Sequence, residues 1–334
     1  MFEVYPGIFL IKEKGALGFA KPPENIYVIA GSDGIIYDAG YGTKKALKHV
    51  FKELKEIENY YKAQNKEFRL TRILPSHSHP DHFSGLKRLR DSLGLKTILT
   101  KKMANVIRDK ESFYKSFEAD DFEDYLRISK KVKHKIRNFL RLLGSKLFYQ
   151  RMYGVSFLDD PDEIIEENSE ILINEESWRI FPSPGHCKDH ISLYNEQKGI
   201  LFSGDNVLRS ITTWLGPPES NIDDYIASIE QFQKLPNLKL ILSAHGSPIE
   251  NPHERLDEIL KHRKEREQQV LDIVHKNSEQ GISPKGIIKT IYPTESKFLH
   301  TVARGWVVLT LKKLEKNHQI KRQVAKNKIL FFPI

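Results

Sequence analysis

The sequence predicts an α/β fold of layered sheets with a helical module at its C-terminal end. Three observations point to it. Short β-branched and aromatic runs punctuated by glycine fill the first 40 residues. Strand-like and helix-like segments then alternate to about residue 250, as in sheets covered by helices. From His253 the texture changes to long helical periodicity with a basic end.

The elements follow in order. "GIFLIK", "NIYVIAG" and "GIIYDAG" read as strands. Between Lys44 and Lys62, Leu47, Val50, Phe51, Leu54, Ile57 and Tyr61 recur at helical spacing. "RILPS" is a short buried strand, "HFSGLKRLRDSLG" a helix closed by Gly94, and "KTILT" the next strand. Residues 101–152 interrupt this rhythm. The acidic "EADDFED" precedes Leu126–Arg151, which has nine basic residues and no acidic one. Ile128, Val132, Ile136, Phe139, Leu140, Leu143 and Leu147 make one apolar stripe there. The expectation is a helical insertion serving as a lid (126–151), a dimer contact, a membrane-surface helix, or a helix packed on the core. Strand signals return at "GVSFLDD", "EILI", "WRIFPSPG", "HISLYNEQKGILFSGD" and "LKLILSAHG". Between the last two, "NIDDYIASIEQFQKL" is helical, with Asn221 or Asp223 as N-cap. After residue 252, one long helix stopped by Gly281 is followed by a short helix opened by Ser283-Pro284. A third helix runs through "VARGWVVLTLKKLEKN", and a terminal hairpin turns near Lys326-Asn327. Three helices and a two-stranded wing describe a winged-helix-like domain over 253–334, behind a domain over 1–252.

Composition bounds the partners. The 334 residues are 39% hydrophobic and 10% aromatic, enough for a real core. Cys187 is the single cysteine, so no intramolecular disulfide exists and a cytoplasmic setting is expected. "MFEVYPGIFLIKEKG" does not read as a signal peptide. No apolar run approaches the ~20 residues of a membrane span. The net charge is +9, and residues 253–334 hold 17 basic against 9 acidic residues. From Ser296 onward there are 9 basic residues and one acidic, Glu315. Such an end suits an acidic partner such as nucleic acid, although a solvated surface is the preferred reading from charge alone.

The chemistry gathers at residues 76–82, "SHSHPDH". His77 and His79 are two apart, so an extended segment turns both to one side. Pro80 ends that geometry, and Asp81 and His82 follow on a turn into a helix. A strand end that runs into a helix start is where open α/β sheets place their sites. His77 and His79 can hold one cation, and Asp81 and His82 a second. Two cations need more ligands from later strand ends. His186 in "SPGH", Asp205 in "FSGD" and His245 in "SAHG" each follow an apolar run and neighbour a glycine.

"HSHPDH", "PGH", "GD" and "AHG" together resemble the sequential metal motifs of metallo-β-lactamase fold hydrolases, over about residues 1–250. The resemblance implies a four-layer αβ/βα sandwich with the site along one edge. It implies that His77, His79 and His186 bind one metal, that Asp81, His82 and His245 bind another, and that Asp205 bridges them. Asp38 in "YDAG" matches the family's early aspartate, which orders the site loops. Imidazoles and carboxylates without thiolate suit two divalent ions, zinc first, with iron or manganese as alternatives. The two metals would share an activated hydroxide, which Asp81 would help orient. His190 reads as a group behind the ligands or as a surface histidine, the second being preferred. The side chain of Cys187 is expected to point away from the ligands. Where the antibiotic-degrading members carry cysteine, this chain carries Asp205, which argues against a lactamase. Ser76 stands for a commoner threonine, and "HFSG" for a double glycine.

The expected activity is hydrolysis of an ester, thioester or lactone by the dinuclear-site hydroxide, resembling glyoxalase II. The alternative is a single-stranded RNA endonuclease of the lactamase-β-like branch, using the basic C-terminal domain. A metal-stabilised DNA-binding regulator ranks third. A homodimer is compatible with the sequence.

Overall fold

The protein is described by a computed structural model covering residues 2–15, 21–116, 125, 149–210, 212–294, 296–325 and 328–334. The apolar stripe expected over 126–151 lies outside these up to residue 148, and so does the expected turn at Lys326-Asn327.

A seven-stranded sheet is laid down in chain order: β1 (Phe2–Tyr5), β2 (Ile8–Glu13), β3 (Glu24–Ile29), β4 (Gly34–Tyr37), β5 (Leu70–Leu74), β6 (Lys96–Thr100) and β7 (Glu163–Ile165). Neighbours are antiparallel as far as β4 and parallel beyond it. The switch follows from the connections. A tight turn joins β3 to β4, whereas helix α1 (Lys44–Ala63) carries the chain back before β5. Thr43 caps α1 by accepting from the amide of Ala46. Helices α2 (Pro80–Phe83) and α3 (Leu86–Leu93) connect β5 to β6, and α4 (Lys101–Ile107) and α5 (Lys110–Ser116) follow it.

The second sheet holds β8 (Ser169–Ile173), β9 (Glu176–Pro182), β10 (Ile191–Asn195), β11 (Ile200–Gly204) and β12 (Leu240–Ser243), in the order β12-β11-β10-β9-β8. Only β11 and β12 run parallel, joined through helix α6 (Ile222–Gln233), whose N-cap is Asn221.

Alternation along these strands makes the four layers. Ile180, Leu193, Phe202 and Leu242 face the first sheet and share its core. Their neighbours Phe181, Tyr194, Leu201 and Ile241 face outward, where Tyr225, Ile229 and Phe232 of α6 cover them. On the inner side the ring of Phe202 lies 5.1 Å from both Tyr27 and Tyr37 and 5.6 Å from Trp178. Helix α1 supplies Leu47, Val50, Leu54 and Ile57 to the first sheet.

The C-terminal part comprises α7 (Pro252–Lys276), α8 (Pro284–Ile291), α9 (Lys297–Lys316) and the antiparallel pair β13 (Ile320–Ala325) and β14 (Lys328–Pro333). Leu256 and Ile259 of α7 join the core beneath α6, whereas Val270, Ile273 and Val274 join a separate core with α8, α9 and the hairpin. One helix thus belongs to both.

Three local expectations change. "GVSFLDD" forms no strand; the pairing begins after Pro161, which has no amide hydrogen, with β7. The predicted helix after Pro80 is two helices broken at Ser84-Gly85. A Cβ on Gly85 would sit 2.2 Å from the carbonyl oxygen of Ala39, so the chain passes there without one. The long C-terminal helix ends at Lys276, and a turn leads on to Gly281 at φ 68°.

Phe202→Ala, which empties the contact between the sheets, is expected to cost about 3–5 kcal/mol in a denaturant titration. Leu172→Ala, at a side chain 61% exposed, should stay within about 0.5 kcal/mol of the parent.

Candidate metal centre

The two sheets present their functional residues along one edge. Beyond the C-terminal ends of β4, β5, β9, β11 and β12 come Asp38, His77, His186, Asp205 and His245 in turn. Backbone bonds stitch this edge together: Ile191 N–H to Ser76 O at 2.9 Å, Ala244 N–H to Gly204 O at 3.0 Å and Asn25 N–H to Ala244 O at 2.8 Å. Two glycines are dictated by the crowding. A Cβ on Gly185 would lie 2.2 Å from the Cα of Tyr225, and one on Gly204 2.4 Å from His190 Nε2. Pro80 opens α2 at its first turn, where a missing amide hydrogen costs nothing, and α2 carries Asp81 and His82 inward.

All seven residues expected at the site come together. His77, His79, His186 and Asp205 form one group whose candidate donor atoms lie within 4.8 Å of one another. Asp81, His82 and His245 form a second with the same spread, together with Glu24. Asp205 stands between them. Its Oδ2 is 3.2 Å from His186 Nε2, and its Oδ1 is 3.1 Å from His245 Nε2 and 3.7 Å from His82 Nε2. Asp81 lies 3.8 Å from His82 Nε2 and 3.9 Å from His245 Nε2.

Each imidazole is held by one nitrogen and turns the other inward. His77 Nδ1 meets Ser76 Oγ at 3.0 Å. His79 Nε2 meets Glu219 at 2.9 Å and His186 Nδ1 meets the Trp214 carbonyl at 2.9 Å. His82 Nδ1 lies 3.2 Å from Asp38 and 3.4 Å from Glu24. His245 Nδ1 lies 2.6 Å from the Pro23 carbonyl and 3.1 Å from Glu24. Such partners set the tautomer of each ring; His77 and His82 then keep a bare inner nitrogen, whereas His79 Nδ1 and His186 Nε2 meet at 2.9 Å and His245 Nε2 faces Asp205 at 3.1 Å. His77 Nε2 and His82 Nε2 are buried there without a hydrogen-bond partner among the described residues, and buried Asp205 Oδ1 faces His245 Nε2 at 3.1 Å. Buried polar atoms are rarely left so. Unpaired nitrogens facing a shared carboxylate fit a pair of cations.

The electrostatics agree. Burial, with His82 and His79 adjacent, holds His77 well below the usual imidazole range. Burial opposes charge on His79 too, but the Glu219 hydrogen bond and charge push it up to about 9. For His245 burial is likewise outweighed, mainly by Asp205, and its value rises to about 10. Burial would raise Asp205, yet His245 and His82 hold it well below the ordinary carboxylate range. Glu24 is raised by burial and by Asp38, Asp81 and Asp205.

His190 is corrected from a surface residue to a buried one. It is 1% exposed, accepts from the Asp205 amide at 3.1 Å through Nε2, and meets Ser183 Oγ at 2.8 Å. Asp38 accepts from the Ser76 amide at 2.6 Å and so ties the loop as expected. Cys187 is buried, and burial pushes its thiol up. Glu24 and Glu219 escaped the sequence reading. Glu24 had a signal, a carboxylate at the head of a strand that turns apolar after Asn25, "ENIYVI". Because β3 runs antiparallel to β4, its first residue falls beside the end of β4. Glu219 comes from the irregular segment before α6, which no periodicity marks.

A family model described as the metallo-beta-lactamase superfamily matches residues 21–245. The beta-lactamase-like protein 2 homolog of Caenorhabditis elegans is 28% identical over 153 residues, 46% of this chain and 50% of that one. The atrochrysone carboxyl ACP thioesterase of Aspergillus fumigatus is 26% identical over 141 residues, 42% of this chain and 41% of its own. The acyl-coenzyme A thioesterase MBLAC2 of Gallus gallus is 32% identical over 82 residues, 24% and 29% of the two chains. This chain thus spans half or less of each of these curated relatives. A solved metallo-beta-lactamase family protein from Thermus thermophilus superposes with a TM-score of 0.73 at 18% identity, over 99% of this chain and 100% of that one. That likeness is one of fold, and it extends through the C-terminal helices and hairpin.

The raised values of His79 and His245, about 9 and about 10, mean that both rings carry a second proton and a positive charge at neutral pH without metal. A cation must displace those protons, so affinity should rise with pH up to that range and fall in acid. Zinc titrated calorimetrically at pH 7.5 in buffers of different ionisation enthalpy should release about two protons per chain from these rings. A heat independent of the buffer would contradict this.

Proposed function

The chain belongs to the metallo-beta-lactamase superfamily, and on that premise we propose that it is a two-metal hydrolase of esters, with thioesters as its preferred class. The observation that carries the reading is the convergence of the bare, buried nitrogens of His77 and His82 on the buried carboxylate of Asp205, between two ligand groups. His77, His79 and His186 would hold one ion and Asp81, His82 and His245 the other, with Asp205 between the two groups. The donor set suits zinc, with iron or manganese as alternatives. When bound, such ions polarise a carbonyl and bring water to deprotonation near neutral pH. Asp81, on the exposed side of the second group, orients the attacking water. No serine or cysteine nucleophile is needed, and buried Cys187 is not one.

The thioester preference draws support from two relatives named as thioesterases. Trp214, half exposed and joined through its carbonyl to His186, offers apolar surface for an acyl group beside the site. Residues 253–334 are read as a winged-helix-like unit. Part of its positive charge is neutralised within the chain: Lys313 pairs with Glu267 at 2.8 Å and Asp223 at 3.3 Å, and Arg322 with Glu315 at 3.4 Å. That favours a docked unit over one whose charge is all directed at nucleic acid.

Purified protein should hydrolyse a short acyl-coenzyme A, lose the activity to a chelator and regain it with zinc, manganese or iron. Asp205→Ala should lower kcat/KM by more than the roughly 10–100-fold typical of losing a partner behind a ligand. Cleavage of single-stranded RNA with no thioesterase activity would overturn the assignment in favour of a nuclease.

A further inference from the structure

The segment 212–220 connects the metal centre to the C-terminal helices. On its inner side it touches three of the first group's four ligands. The Thr213 hydroxyl donates to the main-chain carbonyl of Asp205. The Trp214 carbonyl accepts from His186 Nδ1 at 2.9 Å, and Glu219 meets His79 Nε2 at 2.9 Å. Ser220 Oγ also donates to the His186 carbonyl at 2.6 Å.

The outer side of the segment is held from beyond the matched family region. Arg263, on α7, is 7% exposed. Its Nη2 donates to the Thr213 carbonyl at 2.6 Å, and its guanidinium lies 5.0 Å from the centre of the Tyr225 ring. A buried guanidinium is costly unless its position is used and its charge compensated. Here it grips the peptide that joins Thr213 to Trp214. Helix α9 presses on the same stretch: a Cβ on Gly305 would sit 2.6 Å from the Leu215 carbonyl oxygen. Nearby, Arg255 Nε donates to the Leu208 carbonyl at 2.7 Å.

We infer that Arg263 is a positioning residue for the first metal group, fixing through Thr213 and Trp214 the ring of His186, so that the C-terminal helices form part of the metal centre. The inference rests on the two-cation reading above. It makes the two sites unequal. The second group is backed by Glu24, Asp38 and the Pro23 carbonyl, all within the first sheet and its loops. The first depends on a segment clamped by α7 and α9.

The test is zinc affinity of the full chain, measured by competition with a fluorescent chelator. The wild type should take up two ions. Arg263→Met should weaken one by about tenfold, the scale of losing support behind a ligand, and leave the other unchanged. Arg263→Lys, which restores a cationic donor, should recover most of the loss, and exposed Lys264→Met should change nothing. Gly305→Ala is a second route to the same segment, because it moves the Leu215 carbonyl while favouring the helix it sits in. It should weaken the same single ion. Two ions held by Arg263→Met as tightly as by the wild type, or both weakened in step with thermal stability, would overturn the inference. A wild type that binds no zinc would remove the two-cation reading itself.

Discussion

The structure depends on a crowded set of buried imidazoles and carboxylates at one sheet edge, whose inner donor atoms have nothing to bond but one another or a cation. Burying such groups is unfavourable unless each finds a partner. The fold meets that condition on the outer side of every ring, through a hydroxyl, a carbonyl or a carboxylate; on the inner side His79 and His186 meet each other at 2.9 Å, and His77 and His82 have no hydrogen-bond partner among the described residues. Five strand ends must converge for this to happen. The parallel pairs β4–β5 and β11–β12 bring four of them, β9 brings the fifth with His186, and the antiparallel start of β3 adds Glu24. The four-layer sandwich thus serves as the frame for the edge. The Phe202 cluster with Tyr27, Tyr37 and Trp178 sets how closely the sheets approach.

The two ligand groups are supported differently. Around His82 and His245 the support is short-range and carboxylate-rich, with Glu24 and Asp38 both fully buried. Around His79 and His186 it comes from the irregular run before α6, itself gripped from the C-terminal helices. Asp205 is the element common to both, and its main chain is pinned by the His190 ring and the Thr213 hydroxyl. Moving this aspartate would disturb both groups at once. The chain beyond residue 245 is then structurally continuous with the site rather than appended to it.

Much of this was legible in the sequence, for a physical reason. Candidate ligands at strand ends are announced by apolar runs that stop beside a glycine, as in "SPGH", "FSGD" and "SAHG", and "SHSHPDH" is announced by its crowded imidazoles. The strands themselves were visible because both faces are buried and the runs are nearly uninterrupted. What escaped were groups placed by tertiary approach alone. Glu219 and the Trp214 carbonyl lie on an irregular segment without a period. His190 has no marker in its local sequence, and its place is decided by Gly204 packed against its ring, the Asp205 amide and the Ser183 hydroxyl. "GVSFLDD" misled because an apolar–polar alternation reads as a strand even where no neighbouring edge is within reach. Arg263 was hidden in a charged helix, where one buried guanidinium looks like its solvated neighbours.

The most direct measurement is anomalous diffraction at the zinc edge from crystals of the zinc-loaded protein. Two peaks within bonding distance of the ring nitrogens of His77, His79 and His186 on one side, and of His82 and His245 on the other, with Asp205 between them, are expected. Two-metal sites place such ions roughly 3.5–4 Å apart. A map with no peak at this edge of the sandwich, and the same rings hydrogen-bonded to one another in zinc-saturated crystals, would contradict the reading.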